Sequence, residues 1–331
     1  MHRLLCLTLS ALIFLTPALA EEPTLTPITV AEPVHLIGYL PLYVAIHEGY
    51  FAEEGLDVTV VQATGGAHVT ALVSGDAFAA IGGVDSYHFA NQGSSDPILA
   101  ICNCVNRANV YLFARKGLIP ASADPADLAD FLRGKTIIAG RYGGSPNVLT
   151  RYLLQTLHLD PDTDVTLLEN ADASTVTAML QYGQGDIGNG GEPQISEGVT
   201  AGIFEQPFYA FPDLGDYAYS VIGVKQSTMA QQSDTCAAFV RALKKALHTV
   251  HTDRATAERV LEKEFPTLSE EGRTAALDRA YADQLWSVDG VITQAAVDCT
   301  MTALTASGLW DGPWDYERMV DMSFVSVTNL D

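Results

Sequence analysis

The chain has 331 residues, of which 18 are Lys or Arg and 40 are Asp or Glu, for a formal net charge of −22. So acidic a surface repels phosphate backbones and anionic lipid headgroups, which argues against a nucleic-acid partner and a direct membrane anchor. The length suffices for two lobes of ordinary size.

Met1 to Ala20 has a basic start at Arg3, an apolar run from Leu4 to Leu15, and a small-residue finish at Ala18-Leu19-Ala20. That order predicts a secretory signal, residues 1–20, cleaved before Glu21. Cys6 precedes most of the apolar run, so it cannot be a lipidated cysteine placed after one.

Ile28-Thr29-Val30-Ala31 reads as a first strand, followed by a loop from Glu32 to Pro41 and a helix from Leu42 to Glu54. Gly55 stops that helix, and Leu56 to Val61 alternates as a strand. His68 to Ser74 reads as a short helix. Ala79-Ala80-Ile81 is a strand ending at Gly82-Gly83, with Asp85 placed to cap the next helix. Ile98 to Ile101 and Val110 to Ala114 are two more strands.

Gly117 to Pro125 is punctuated by Pro and small residues, and Asp124-Pro125 is a helix start. Arg133 to Ala139 turns into a strand. Gly143 to Asn147 leads into an amphipathic helix whose apolar face is Val148, Leu149, Tyr152, Leu153 and Leu157. Val165 to Leu168 is a strand, Ser174 to Tyr182 a helix, and Asp186-Ile187-Gly188 runs toward Gly190-Gly191-Glu192-Pro193. Tyr219 to Val224 is the last strand. From Asp234 onward the chain reads as helices, with one apolar stripe at Phe239, Val240, Leu243, Leu247 and Val250. Alternating strands and helices predict parallel α/β lobes.

Four cysteines follow the expected signal. In an oxidising compartment a disulfide between Cys236 and Cys299 is expected. Cys102 and Cys104 would share one face of a strand, which fits two small apolar residues better than a metal site.

Gly38-Tyr39-Leu40-Pro41-Leu42-Tyr43-Val44-Ala45, continued by Glu48-Gly49-Tyr50-Phe51 and Glu54-Gly55-Leu56-Asp57-Val58, resembles the start of a known family. It is that of the periplasmic binding proteins of the nitrate, sulfonate, taurine and thiamine-pyrimidine-precursor group, which serve ABC importers. Leu72-Val73-Ser74-Gly75-Asp76, Asp130 to Lys135, and Gly185-Asp186 with Glu192-Pro193 resemble the family's further motifs in the same order. The resemblance implies a two-lobed α/β fold of periplasmic-binding-protein type II with two hinge crossings, here near Asn109 to Arg115 and Tyr217 to Val224. It implies a first lobe over residues 21–112, a second over 113–220, and a return to the first over 221–331 with helices packed back on it. The implied function is capture of a small polar or anionic organic solute in the periplasm by a monomer. The solute would be a sulfonate, a pyrimidine precursor or an aromatic carboxylate, handed to a membrane permease. No cofactor or metal is implied.

In open α/β sheets, ligands sit beyond the carboxyl ends of the strands. That rule selects Glu32, His35 and Tyr39, then Gly66, then Asp85, Ser86 and Tyr87, then Asn106 and Arg107 in the first lobe. In the second it selects Tyr142, Gly143, Gly144, Ser145, Asn147, Asn170, Gly191 and Glu192. Gly143-Gly144-Ser145 before a helix presents backbone N–H groups and the positive end of the helix dipole to an anion. Arg107 could pair with an anionic group, Glu192 could accept from an amine or ring N–H, and the three tyrosines could wall a flat ligand. Each also has a plainer role in capping, packing or surface ion pairing. No Ser-His-Asp spacing, zinc-type cluster or P-loop is present, so catalysis has no support. A periplasmic sensor module would share the fold and is the alternative.

Overall fold

A computed structural model describes residues 24–169 and 172–326. The expected signal at 1–20, its cleavage before Glu21, and Asn170 lie outside the described residues. Among the described residues, ten strands form two five-stranded sheets. The first holds β1 (Thr26–Glu32), β2 (Leu56–Gln62), β3 (Ala79–Gly82), β4 (Ile98–Val105) and β10 (Ser220–Lys225), in the order β2-β1-β3-β10-β4. The second holds β5 (Tyr111–Ala114), β6 (Thr136–Ile138), β7 (Thr166–Leu168), β8 (Ile187–Gly190) and β9 (Tyr209–Ala210), in the order β7-β6-β8-β5-β9.

In each sheet four strands run in one direction, three of them paired in a parallel row, and the strand arriving from the other lobe is antiparallel to both its neighbours. β10 lies between β3 and β4, and β5 between β8 and β9. The chain therefore passes between lobes over residues 106–110 and again over 211–219. These are the expected crossings, shifted toward the amino end because 111–114 and 220–225 are already paired in their sheets. The strand β9, two residues long, was too short to show any alternation.

The helices of the first lobe are α1 (Leu40–His47), α2 (Tyr50–Glu53), α3 (Ala67–Ser74) and α4 (Val84–Ala90). The single helix expected over 42–54 is thus two. Gly49 takes a left-handed φ of 75° between them, which breaks the hydrogen-bond ladder where glycine alone is unstrained. The second lobe adds α5 (Pro125–Leu132), α6 (Ser145–Thr156), α7 (Val176–Gln181) and α8 (Gln194–Thr200).

The tail comprises α9 (Gln226–Gln231), α10 (Ser233–Thr252), α11 (Arg254–Glu264), α12 (Glu270–Ala282), α13 (Gln294–Ala306) and α14 (Ser323–Ser326). The stripe Phe239, Val240, Leu243, Leu247 and Val250 is fully buried, and α10 lays it against α1 and α2. The tail does more than return to the first lobe. α12 packs on α8, and α13 packs on both α4 and α6, so it bridges the two lobes.

The expected disulfide is absent: Cys102, Cys104, Cys236 and Cys299 are all free. The reason is topological. Cys236 is buried near the start of α10, which packs on α1 and α2, whereas Cys299 rides α13 on the side of α4 and α6. Cys102 and Cys104 are both fully buried on β4, whose eight residues are all buried, and burial pushes the Cys102 thiol up to about 12. They behave as small apolar residues.

Candidate functional site

The carboxyl ends of six parallel strands, three from each sheet, converge on a cavity of about 140 Å³. From the first lobe, the loop after β1 brings Val34, Leu36 and Tyr39. The loop after β2 brings Gly65, Gly66 and His68, and the turn after β3 brings Gly83 and Ser86. From the second, the loop after β6 brings Gly140, Arg141, Gly144 and Ser145. Asp172 and Ala173 follow β7, and Gly190, Gly191 and Gln194 follow β8. The two crossings close the back with Asn109, Val110, Tyr219 and Ser220. Glycine pairs after β2, β3 and at the end of β8 leave the walls flat and let backbone approach a ligand closely.

The lobes touch across this cavity. Ser145 Oγ donates to Asp85 Oδ1 at 2.9 Å, and Asp85 is wholly buried. Burial raises the Asp85 carboxyl above its ordinary range, opposed by the Ser145 hydroxyl and the Ser86 N–H. Asp85 is not the expected cap of α4. Gly83 holds that position, and the carboxylate instead takes the Ser86 N–H at 2.8 Å while facing the other lobe.

His68 lines the cavity with 4% of its surface exposed, and its Nδ1 has no hydrogen-bond partner. Burial pushes its imidazole down to about 4, and the nearby Arg141 charge adds to that, so it is neutral near pH 7. Tyr39 and Tyr219 supply aromatic walls, and burial drives both phenols up.

Of the residues expected from the sequence, Tyr39, Gly66, Ser86, Gly144, Ser145 and Gly191 line the cavity, and Asp85 stands directly behind Ser145. Tyr142 and Gly143 lie at an outer mouth. The others are committed elsewhere. Glu32 accepts from Tyr43 at 2.6 Å and pairs with His35 at 3.0 Å. His35 stacks on Phe265; Glu32 and Glu264 raise its pKa, overcoming the opposing effect of burial. The Tyr87 hydroxyl donates to the Ala80 carbonyl within the core.

Asn147 is buried, accepting the Gly143 N–H and donating to Glu169. Asn106 and Arg107 both hold Asp216, joining the two crossings. Glu192 is 5% exposed, accepts from Ser196, and pairs with Arg279 Nε of α12 at 3.0 Å. The expected anion partner, Arg107, and the expected acceptor, Glu192, therefore serve the hinge and the lobe contact. Sequence reasoning passed over Arg141 and His68. Arg141 stood three residues beyond a strand in a chain with few basic residues, and that was a usable signal.

The family model described as NMT1/THI5 like matches residues 37–257. YtlA of Bacillus subtilis (strain 168) is 29% identical over 313 residues, covering 94% of this chain and 92% of its own. The riboflavin-binding protein RibY of Chloroflexus aurantiacus is 26% identical over 344 residues, covering 93% and 89%. Among solved structures, the ligand-binding component of an ABC-type import system from Staphylococcus aureus is 15% identical. It superposes with a TM-score of 0.73, covering 92% of this chain and 100% of that one. The two-lobed fold expected from the sequence is the fold they share.

Proposed function

Because the chain belongs to the NMT1/THI5-like family, we propose that it is a solute-binding protein of an ABC-type importer, closing on a single-ring polar organic solute in the periplasm. The observation that carries this reading is the cavity between the lobes. At about 140 Å³ it compares with an engineered cavity of about 150 Å³ that binds benzene, so it suits one six-membered ring. A bare oxyanion would leave it largely empty, and a three-ring flavin would overfill it. Flat glycine walls and two tyrosines suit a planar ring. Ser86, Asn109, His68 and Ser220 place polar groups around it. Among the solutes named by the sequence, a pyrimidine or an aromatic carboxylate therefore fits better than an alkanesulfonate.

The mechanism is lobe closure. Solute resting on Tyr39 and Ser86 presents its other face to Gly144 and Ser145 of the second lobe. Closure then forms the Ser145–Asp85 hydrogen bond and the Glu192–Arg279 pair, both seen here. Each bond across the cleft weights the closed state, and the solute adds its own contacts to that side of the equilibrium. A membrane permease would receive the solute from the closed form.

A thermal-shift screen over pyrimidines, aromatic carboxylates, alkanesulfonates and riboflavin tests this. A solute at about 100-fold its Kd adds about 2.7 kcal/mol of stability. Single-ring compounds should raise Tm; a response to alkanesulfonates alone, or to none of these, would overturn the reading.

A further inference from the structure

A second cavity, of about 350 Å³, opens outside the first and shares Gly66, Ser86 and Arg141 with it. Its remaining wall is Val69 and Thr70 of α3, Phe89 of α4, Tyr142, Gly143 and Leu309. Arg141 stands at the waist between the two chambers. Its Nη1 donates to the Tyr142 carbonyl at 3.2 Å. Gly66 has a φ of 92°, a left-handed backbone that favours glycine, and it borders the Arg141 guanidinium.

Every other arginine among the described residues lies within ion-pair distance of a carboxylate. Arg141 does not. In a chain of net charge −22, a cation with no carboxylate within ion-pair distance, its charge felt by the wholly buried Asp85, stands at the junction of two cavities and is positioned for an anion from outside. The apolar flank of Val69, Phe89 and Leu309 gives the chain that carries such an anion a surface to lie on.

We propose that the outer chamber is a subsite for an anionic arm carried by the solute, its carboxylate, sulfonate or phosphate oxygens held by Arg141 while the ring occupies the inner chamber. This rests on the single-ring reading above and extends it to a ring with a charged chain.

The test is calorimetric titration with phenyl- and pyrimidinyl-alkanoates of increasing chain length, beside the matching alcohols and the bare rings. Wild-type protein should bind the best acid about ten-fold more tightly than its alcohol. Thr70→Glu places a negative charge in the outer chamber from an exposed helix position. It should erase that advantage while leaving the bare ring and the Tm unchanged, and Arg141→Gln should erase the advantage too. Acids that bind no better than alcohols, or acids indifferent to Thr70→Glu, would overturn the subsite with the ring reading intact. Binding by no ring compound at all overturns both.

Discussion

The Ser145 hydroxyl of the second lobe donates to the buried Asp85 carboxylate of the first, 2.9 Å away across the cleft. Two segments sixty residues apart in the chain meet there only when the lobes are together. Ser145→Ala leaves Asp85 Oδ1 without that donor, at a cost of about 1–3 kcal/mol to the closed form. Solute affinity should fall about ten-fold. Gly144→Asp should cost more, because its Cβ would lie 3.2 Å from the Arg141 carbonyl and its charge would oppose an anionic ligand. Calorimetric titration beside a melting curve checks both. A folded Gly144→Asp protein that binds like wild type would remove this loop from the site.

Arg279→Ala strips a nearly buried Glu192 of its cation, while Ser196 still donates to it. Losing a hydrogen bond to a charged group costs about 1.5–3 kcal/mol. Urea unfolding should show that loss, and solute affinity should weaken although neither residue lines the cavity. Unchanged affinity would mean that the pair supports folding alone.

The stability of the protein should fall with acid partly through His68. Its folded pKa of about 4 lies below the ordinary 6.5, so the unfolded chain takes up a proton first. Above pH 6.5 both states are neutral and nothing is lost; as pH falls from 6.5 toward 4 only the unfolded chain is protonated, and the accumulated loss of stability reaches about 3 kcal/mol. His68→Gln should flatten the Tm profile between those limits. An unaltered slope in the variant would show that other groups carry the acid sensitivity.

Alkylation of denatured, unreduced protein should label Cys102, Cys104, Cys236 and Cys299, all free in the structure. Mass spectrometry counts them directly. A chain taking two labels and not four would restore a disulfide.

Strand ends, helix stripes and the order of the two α/β units were legible because they follow from local periodicity, which needs no knowledge of distant residues. The loop Gly143-Gly144-Ser145 was legible for the same reason: a strand precedes it and a helix follows. The ion pairs of Glu192 and Arg107 could not be read from the sequence because their partners, Arg279 and Asp216, lie 87 and 109 residues away, and nothing local announces such pairs. His68 was read simply as the start of a short helix. Its depressed pKa arises from burial and from Arg141, both products of the assembled fold. The break at Gly49 was missed because the apolar spacing continues across it.

Asn106 and Arg107 on one crossing both grip Asp216 on the other, and Arg107 Nη2 reaches Gln284 behind them at 3.3 Å. Two straps stitched together along one line oppose sliding and shear between the halves more than they oppose swinging. The consequence concerns what the outside of the molecule can report. In the proposed role, a solute that draws the halves together would bring the outer faces to the same relative posture whatever its own chemistry. A permease, if it is the partner proposed above, would then need to recognise only that posture, and the chemistry of the cargo could change without the dock changing with it.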